Sequence, residues 1–474
     1  DDPVKSYARV IENCGKRLKT DGKMTLSQKA VKEIIKLAVT REEDLQDVQI
    51  DQVFSQEFFD SNFWTYWQTM FAFEPWASAM EMRRYLLRFV HHIDGIADMT
   101  ALKYTKYNQY ESLIMPLVKY LESHGVKFHY DTQVRNIALN NTAKKKMAKK
   151  IEMVSGGKKQ SISLTDNDLV FVTNGSITES STYGTQDSAP AVTDDIGGAW
   201  TLWQNLADQD KDLGRPKKFY TNIPDENWVI SGTITIKSRK VAGYIEKICK
   251  KDPYSGSIVS SGPCTIKDSN WLYGFSISRQ PHFHKQKKDE IVVWVYGLYS
   301  NTPGNYIKKN IEDCTGAELC AEWLYHIGVP QAEIMELATK HCNTVPVRMP
   351  YISSYFMPRK LGDRPLVVPR GYTNLAFIGN FAETERDTVF TTEYSVRTAM
   401  EAVYTLLNVE RGVPETFGSC FDIRTLMRAF YYLNDKKKIK DLDLPWFMLK
   451  LEKLGMRKID KTYIQQIMKQ ENLI

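Results

Sequence analysis

Twice in this chain a short apolar run empties into a glycine turn, and this limits the fold more than any other feature. Leu169-Val170-Phe171-Val172 leads into Thr173-Asn174-Gly175-Ser176, and Leu375-Ala376-Phe377-Ile378 leads into Gly379-Asn380. Such runs, apolar without alternation, read as strands buried on both faces, the habit of parallel sheets covered by helices. After the second run, residues 391–407 have helical spacing, with Ala399, Val403 and Leu406 on one side. Strand, glycine turn and helix N-terminus in that order seat a phosphate or a flavin edge. The N–H groups of a helix start are unpaired, and glycine lets a ligand approach the backbone. The fold class this predicts is α/β.

Other segments are read the same way. Thr25 is expected to open a helix with Gln28 as its capping-box partner, burying Val31, Ile34, Ile35 and Ala38. A clearer helix carries Met82, Tyr85, Leu86, Phe89 and Val90 in one stripe, with Glu81, Arg83, Arg84 and Arg88 facing elsewhere. Tyr85 is thus on the buried side, where its phenol needs a partner. Residues 111–123 read as a helix carrying Leu113, Leu117 and Leu121, ended by Gly125. Val126, Phe128 and Tyr130 alternate with Lys127 and His129, which predicts a strand. Gln133 and Val134 come next, in the order by which a doubly wound flavin domain presents a strand end to adenosine. Gly156-Gly157 closes a hairpin between residues 151–154 and 161–164, and the lysines around it are a solvated tip. Residues 228–236 and 291–299 read as strands and 316–328 as a helix.

Composition excludes several functions. With 42% hydrophobic and 25% charged residues over 474, the chain is globular and long enough for two or three domains. A net charge of +6, with no basic helix interleaved by aromatics, gives no reason to expect nucleic acid. Seven cysteines without a CxxC point to free thiols in a reducing cytoplasm, and without HExxH no metal site is expected. No run of about 18 apolar residues exists to span a bilayer. Aromatics crowd between Phe58 and Phe89, which fits an apolar pocket as well as a core. The tail, residues 436–474, has ten Lys or Arg against five acids, and Pro445 precedes Trp446, Phe447 and Leu449. Helices of that make-up lie on an anionic membrane surface or dock on the protein's own body.

Longer strings carry more information than any of these patterns. Phe73-Glu74-Pro75-Trp76, Glu81-Met82-Arg83-Arg84-Tyr85, His91-His92-Ile93, residues 106–112, Arg279-Gln280-Pro281-His282-Phe283, Phe356-Met357-Pro358-Arg359 and residues 377–394 resemble the oleate hydratases, once called myosin-cross-reactive antigens. The resemblance covers essentially the whole chain. It implies a discontinuous, Rossmann-like FAD-binding domain, a mixed α+β substrate domain and a helical C-terminal domain. The expected boundaries are 1–105 for a helical lid region, 106–194 and 366–410 for the FAD-binding parts, 195–365 for the substrate domain and 411–474 for the C-terminal domain.

The implied reaction is hydration of the cis double bond of an unsaturated fatty acid, with FAD in a non-redox role. The resemblance assigns the catalytic proton to Tyr85, which without it would be a core tyrosine. It assigns the substrate carboxylate to Gln109, Ser276, Ser278 and His282. The FAD side of the sheet is expected at Gln133, Val134, Asn174, Gly175, Ser176, Gly379, Asn380, Phe390 and Thr391. Ser276 and Ser278 stand where the family commonly has Thr and Asn, and Ala77 where it commonly has His, which puts affinity and chain-length preference in question. The family's GxGxxG turn and its acidic catalytic loop would lie before Asp1. The chain is therefore read as part of a longer active enzyme, or as a shortened, inactive lipid-binding relative. A redox flavoenzyme of the amine-oxidase or desaturase type is the other alternative. A homodimer, in the cytoplasm and peripherally on membranes, is expected by analogy.

Overall fold

The computed structural model describes residues 5–100, 102–142, 145–385, 387–442, 459 and 461–474. It divides into two compact units. One gathers Asp1–Leu18, Leu102–Glu385 and Val389–Pro414, and the other Lys19–Ala101, Arg386–Thr388 and Glu415–Ile474. Mixed helices and strands confirm the α/β class.

Three sheets build the first unit among the described residues. The largest runs through eight strands. At its centre Gly274–Ser276, Ile291–Gly297, Ile230–Ile236 and Cys342–Arg348 pair antiparallel in that order. Because side chains alternate, the register separates two faces. One bears Phe275, Val293, Val295, Ile234 and Ile236, and packs on Val241, Ile245 and Ile248 of helix Arg239–Cys249 and on Leu319 and Trp323 of helix Gly316–His326. Local chemistry starts both helices. Ser238 accepts from the Val241 N–H, and Thr315 and Glu318 form a reciprocal capping box. The other face carries Ser276, Trp294, Thr233 and Val345 in one cross-strand row.

A second sheet pairs Leu375–Ile378 with Val170–Thr173 in parallel, and a third is the antiparallel meander Thr132–Thr142, Lys145–Ser155 and Lys158–Ser163. The hairpin expected at Gly156-Gly157 joins the last two of these. Parallel pairing of the two glycine-ended strands is what their apolar pattern predicts.

Several local expectations are corrected. Residues 126–130 are not a strand: no described segment pairs with them, and Val126, Phe128 and Tyr130 are exposed. Alternation alone cannot make a strand without a neighbour to bond. Phe171 is exposed, so its strand is buried on one side only. The helix after Gly379 spans Thr392–Leu406 and buries Tyr394, Arg397, Thr398 and Ala402, leaving Val403 exposed. Leu113, Leu117 and Leu121 are likewise exposed.

In the second unit, the first helix is Gln28–Val39, capped by Ser27 rather than Thr25. The Thr25 hydroxyl instead accepts from the Asn62 N–H at 2.8 Å. That helix buries Ala30, Val31, Ile34 and Leu37, while Ile35 is exposed. Helix Ala79–Phe89 buries Glu81 and Arg84 along with its apolar stripe. Arg84 is accommodated by a bidentate pair with Glu42 at 3.0 and 2.7 Å, and Arg83 reaches the same carboxylate at 3.3 Å. Buried charge survives where it is paired and hydrogen-bonded.

Candidate active site

The two glycine turns meet. Because Ile378 lies beside Thr173 in the parallel pair, Gly379 and Asn380 leave the sheet next to Asn174, Gly175 and Ser176. Open parallel sheets bind ligands at this carboxyl end. Asn174 is buried, and its amide donates to the Phe381 carbonyl at 3.1 Å. Its Oδ1, a buried acceptor, has no partner among the described residues. Asn380 Oδ1 accepts from the Phe390 N–H at 2.7 Å and holds Phe390 in the left-handed region, φ +64°. A bulky residue there is strained unless its surroundings fix it. Thr391 caps the following helix by accepting from the Tyr394 N–H. The helix start is thus partly satisfied, and Glu393 stands in its first turn.

Gln133 reaches this region through helix Gly198–Gln209. A side chain at Gly198 would collide with the Gln133 amide, and Trp200 of the same helix donates to the Ser176 carbonyl at 2.7 Å. Val134 is the next residue of that strand. Asn174, Gly175, Ser176, Gly379, Asn380, Phe390 and Thr391 are therefore one cluster, with Gln133 and Val134 tied to it by one helix.

The other predicted group sits on the second face of the large sheet. Ser276 ends its strand half-buried, and Ser278 lies two residues on, also half-buried. A buried glutamine, Gln280, shapes the loop beyond them. Gln280 donates to the Ser278 and Val292 carbonyls at 3.1 and 3.2 Å. It accepts from the Val292 N–H at 3.0 Å and from the Gln286 amide at 2.7 Å. Gln286 Oε1 in turn accepts from the His282 N–H at 2.7 Å. Asn108 holds the same loop from the far side. Its backbone and side-chain N–H groups donate to the His282 carbonyl at 2.9 and 3.2 Å. Gln109 is the residue after Asn108, with its side chain exposed. So Ser278 and His282 share one hydrogen-bonded frame with Asn108, distant in sequence; Ser276 adjoins it, and Gln109 stands beside it as the neighbour of Asn108. Burial holds the His282 pKa below its ordinary value, with Glu111 pulling the other way.

An aromatic chain links the two groups. Trp294, opposite Ser276 in the sheet, stacks on Tyr296 at 4.6 Å and meets Trp228 edge-on at 6.0 Å. Trp228 in turn meets Phe390 at 6.4 Å.

Tyr85 belongs to the second unit. It is 1% exposed and ringed by Phe71, Phe73 and Phe89 at centroid distances of 5.1, 4.9 and 5.7 Å. The stripe reading of its helix is correct on this point.

Residues 1–404 match the model of the MCRA family. The chain belongs to that family. It is 56% identical to the oleate hydratase of Streptococcus pyogenes serotype M49 (strain NZ131), over all of this chain and 80% of that protein. It is 31% identical to the linoleate hydratase of Lactiplantibacillus plantarum, over 84% of this chain and 73% of that protein.

Within this family member, sequence reasoning missed Asn108, Glu111, Gln280 and Gln286. Glu111 closes the frame by accepting from Asn108 Nδ2 at 2.7 Å and the His284 N–H at 3.0 Å. Asn108, Glu111 and Gln280 lay inside the strings that carried the resemblance, which was the available signal. Gln286 had none. Also unforeseen was a cavity of about 200 Å³ in the second unit, lined by His91, Asp94, Phe417 and Arg428 among others. Burial, with help from His92 and Arg88, holds His91 down to about 4, so its imidazole is neutral at pH 7.

Proposed function

We propose that this chain is a fatty acid hydratase, a lyase adding water across a cis double bond to give a hydroxy fatty acid. The observation that carries the reading is the likeness to an oleate hydratase along the entire chain. The frame around His282 supports the site assignment. Ser276, Ser278 and Gln109 supply neutral donors and His282 an imidazole, a set suited to one carboxylate. Tyr85 delivers a proton to one alkene carbon, or holds the water that attacks the other. If it gives the proton, it regains one from that water and ends unchanged. The aromatic shell around it keeps bulk solvent off a carbon that has become electron-poor.

FAD is the cofactor of this proposal. The unpartnered Asn174 Oδ1 supports the fit, because it accepts and flavin ring N–H groups donate. Asn174, Gly175, Ser176, Gly379, Asn380, Phe390 and Thr391 would hold the group, with Gln133 and Val134 toward its adenosine end. When bound, FAD organises the site and acts electrostatically without net redox change. The deciding experiment supplies oleate, FAD and ¹⁸O-labelled water to the full protein. A hydroxy acid carrying the label, with no oxygen consumed, is expected. Product formation tied to oxygen uptake would favour a redox flavoenzyme, and fatty acid binding without product a non-catalytic relative.

The domain roles, the homodimer and the membrane contact remain part of the same proposal. Among the described residues no helix is long and apolar enough to cross a membrane. Trp446, Phe447 and Leu449 lie outside the described residues. Of the tail that is described, Ile467, Met468 and Leu473 are buried while Tyr463 and Ile464 are exposed beside Lys461. That helix buries Ile467 and Met468 and leaves an apolar edge exposed, which is the edge proposed to meet lipid. Co-sedimentation with anionic vesicles, with and without residues 436–474, tests the contact. Equal binding of both forms removes the tail from it, and binding should fall with salt.

A further inference from the structure

The second face of the large sheet, buried at Tyr296, Ser231 and Val292, leaves one large aromatic exposed. Trp294 lies on an interior strand, yet remains 36% exposed. Its neighbours in the row are Ser276 on one side and Thr233 and then Val345 on the other, and Val345 is also exposed. The ring is held by stacking on Tyr296 and by the edge of Trp228. One face of Trp294 is therefore held in place, and about a third of the side chain, 36%, stays exposed. Neighbouring strands lie about 4.8 Å apart, so the row from Ser276 to Val345 extends roughly 14 Å. That is a length on the scale of an acyl chain, and it begins at a residue assigned to the carboxylate.

We propose that Trp294 is a specificity-determining residue of this site, the platform on which the acyl chain of a bound fatty acid lies once its carboxylate is held. This rests on the reading of Ser276, Ser278 and His282 as carboxylate contacts. The row itself argues for an alkyl occupant. It places a hydroxyl at one end and apolar surface beyond it, with no charged side chain among Ser276, Trp294, Thr233 and Val345. A polar head with an apolar tail matches that order.

The test separates tail from head by using two ligands that differ only in the head, decanoate and decan-1-ol, in direct binding measurements on the full protein. In Trp294→Ala both ligands should bind about ten-fold more weakly, the order of discrimination lost with apolar pocket contacts. Trp294→Phe should restore most of the affinity for both. His282→Ala should weaken decanoate and leave decan-1-ol unchanged. If Trp294→Ala weakens decanoate alone, or neither ligand while His282→Ala still weakens decanoate, the platform is wrong and the carboxylate site stands. If His282→Ala leaves decanoate unchanged, the carboxylate site itself is wrong. Should Trp294→Ala fail to fold, Trp294→Leu decides. Its loss should be intermediate and equal for the two ligands, and unequal loss overturns the proposal.

Discussion

The surroundings of Tyr85 and those of His282 are built on opposite plans. Tyr85 is enclosed by rings that lie within a short stretch of sequence, Phe71, Phe73 and Phe89, on two successive helices and the segment between them. His282 is half-buried and set by amide hydrogen bonds with Asn108, far back in the chain, and with Gln286 of its own loop, which is tied in turn to Gln280. Packing fixes the first and directional bonds fix the second. A dry, rigid shell suits a group that must transfer a proton at one atom. A polar, half-open frame suits a group that must accept a charged head from water and release it again. On the roles proposed, rate belongs to one region and affinity to the other.

The largest effect tests the first half of that assignment. Tyr85→Phe keeps the ring and its contacts, so thermal stability should hardly change, while hydration should slow by about two to four orders of magnitude. Steady-state rates on oleate with a melting curve check this. A variant with wild-type turnover takes Tyr85 out of the mechanism, and one with normal kcat and raised KM reverses the comparison.

The second half is tested by Gln109→Ala and His282→Ala. Both should raise KM by about ten-fold and lower kcat far less, since contacts made equally to substrate and transition state affect affinity alone. A loss falling mainly on kcat would show that the polar frame takes part in the chemistry.

A smaller effect is expected at Gln286, which would touch no ligand. Gln286→Leu removes the acceptor for the His282 N–H and the partner of Gln280. KM should rise several-fold with kcat preserved, and Gln286→Glu, which keeps the acceptor, should recover part of the affinity. Equal loss in both variants would make Gln286 merely structural.

The same contrast explains what could be read from sequence. Val170–Thr173 and Leu375–Ile378 were legible because a short apolar run before glycine needs only its own residues to be recognised. Tyr85 was placed on a buried face because helical period is local too. The charged residues of that helix were misjudged, since the burial of Arg84 depends on Glu42, far back in the chain. Residues 126–130 failed for the complementary reason: their alternation describes side chains, and a strand is made by the backbone of a neighbour. The frame around His282 joins residues 174 positions apart, from Asn108 to His282. No period or spacing encodes such a pairing, so only the resemblance drew Gln109, Ser276, Ser278 and His282 together.

The smallest expected effect uses protons to compare the two regions. Burial lowers the His282 pKa below its ordinary 6.5, and Glu111 is the charged group opposing that. A carboxylate bound beside the imidazole favours its charged form, so the pKa in the complex must be higher than in the free protein. Between those two values the complex holds more protons than its parts. Affinity for a fatty acid should therefore rise as pH falls through the pKa of the complex, and level off below that of the free protein. Decan-1-ol carries no charge, so its affinity should be flat over the same range. The acid's slope should vanish in His282→Ala and persist in Tyr85→Phe, because the role proposed for Tyr85 is in rate and not in head-group binding. The change should be several-fold, within the titration of a single group. Binding curves for decanoate and decan-1-ol on the three proteins decide the matter. A slope shared by acid and alcohol, or one that survives in His282→Ala, would mean that His282 does not carry the head group and that the polar frame serves some other end.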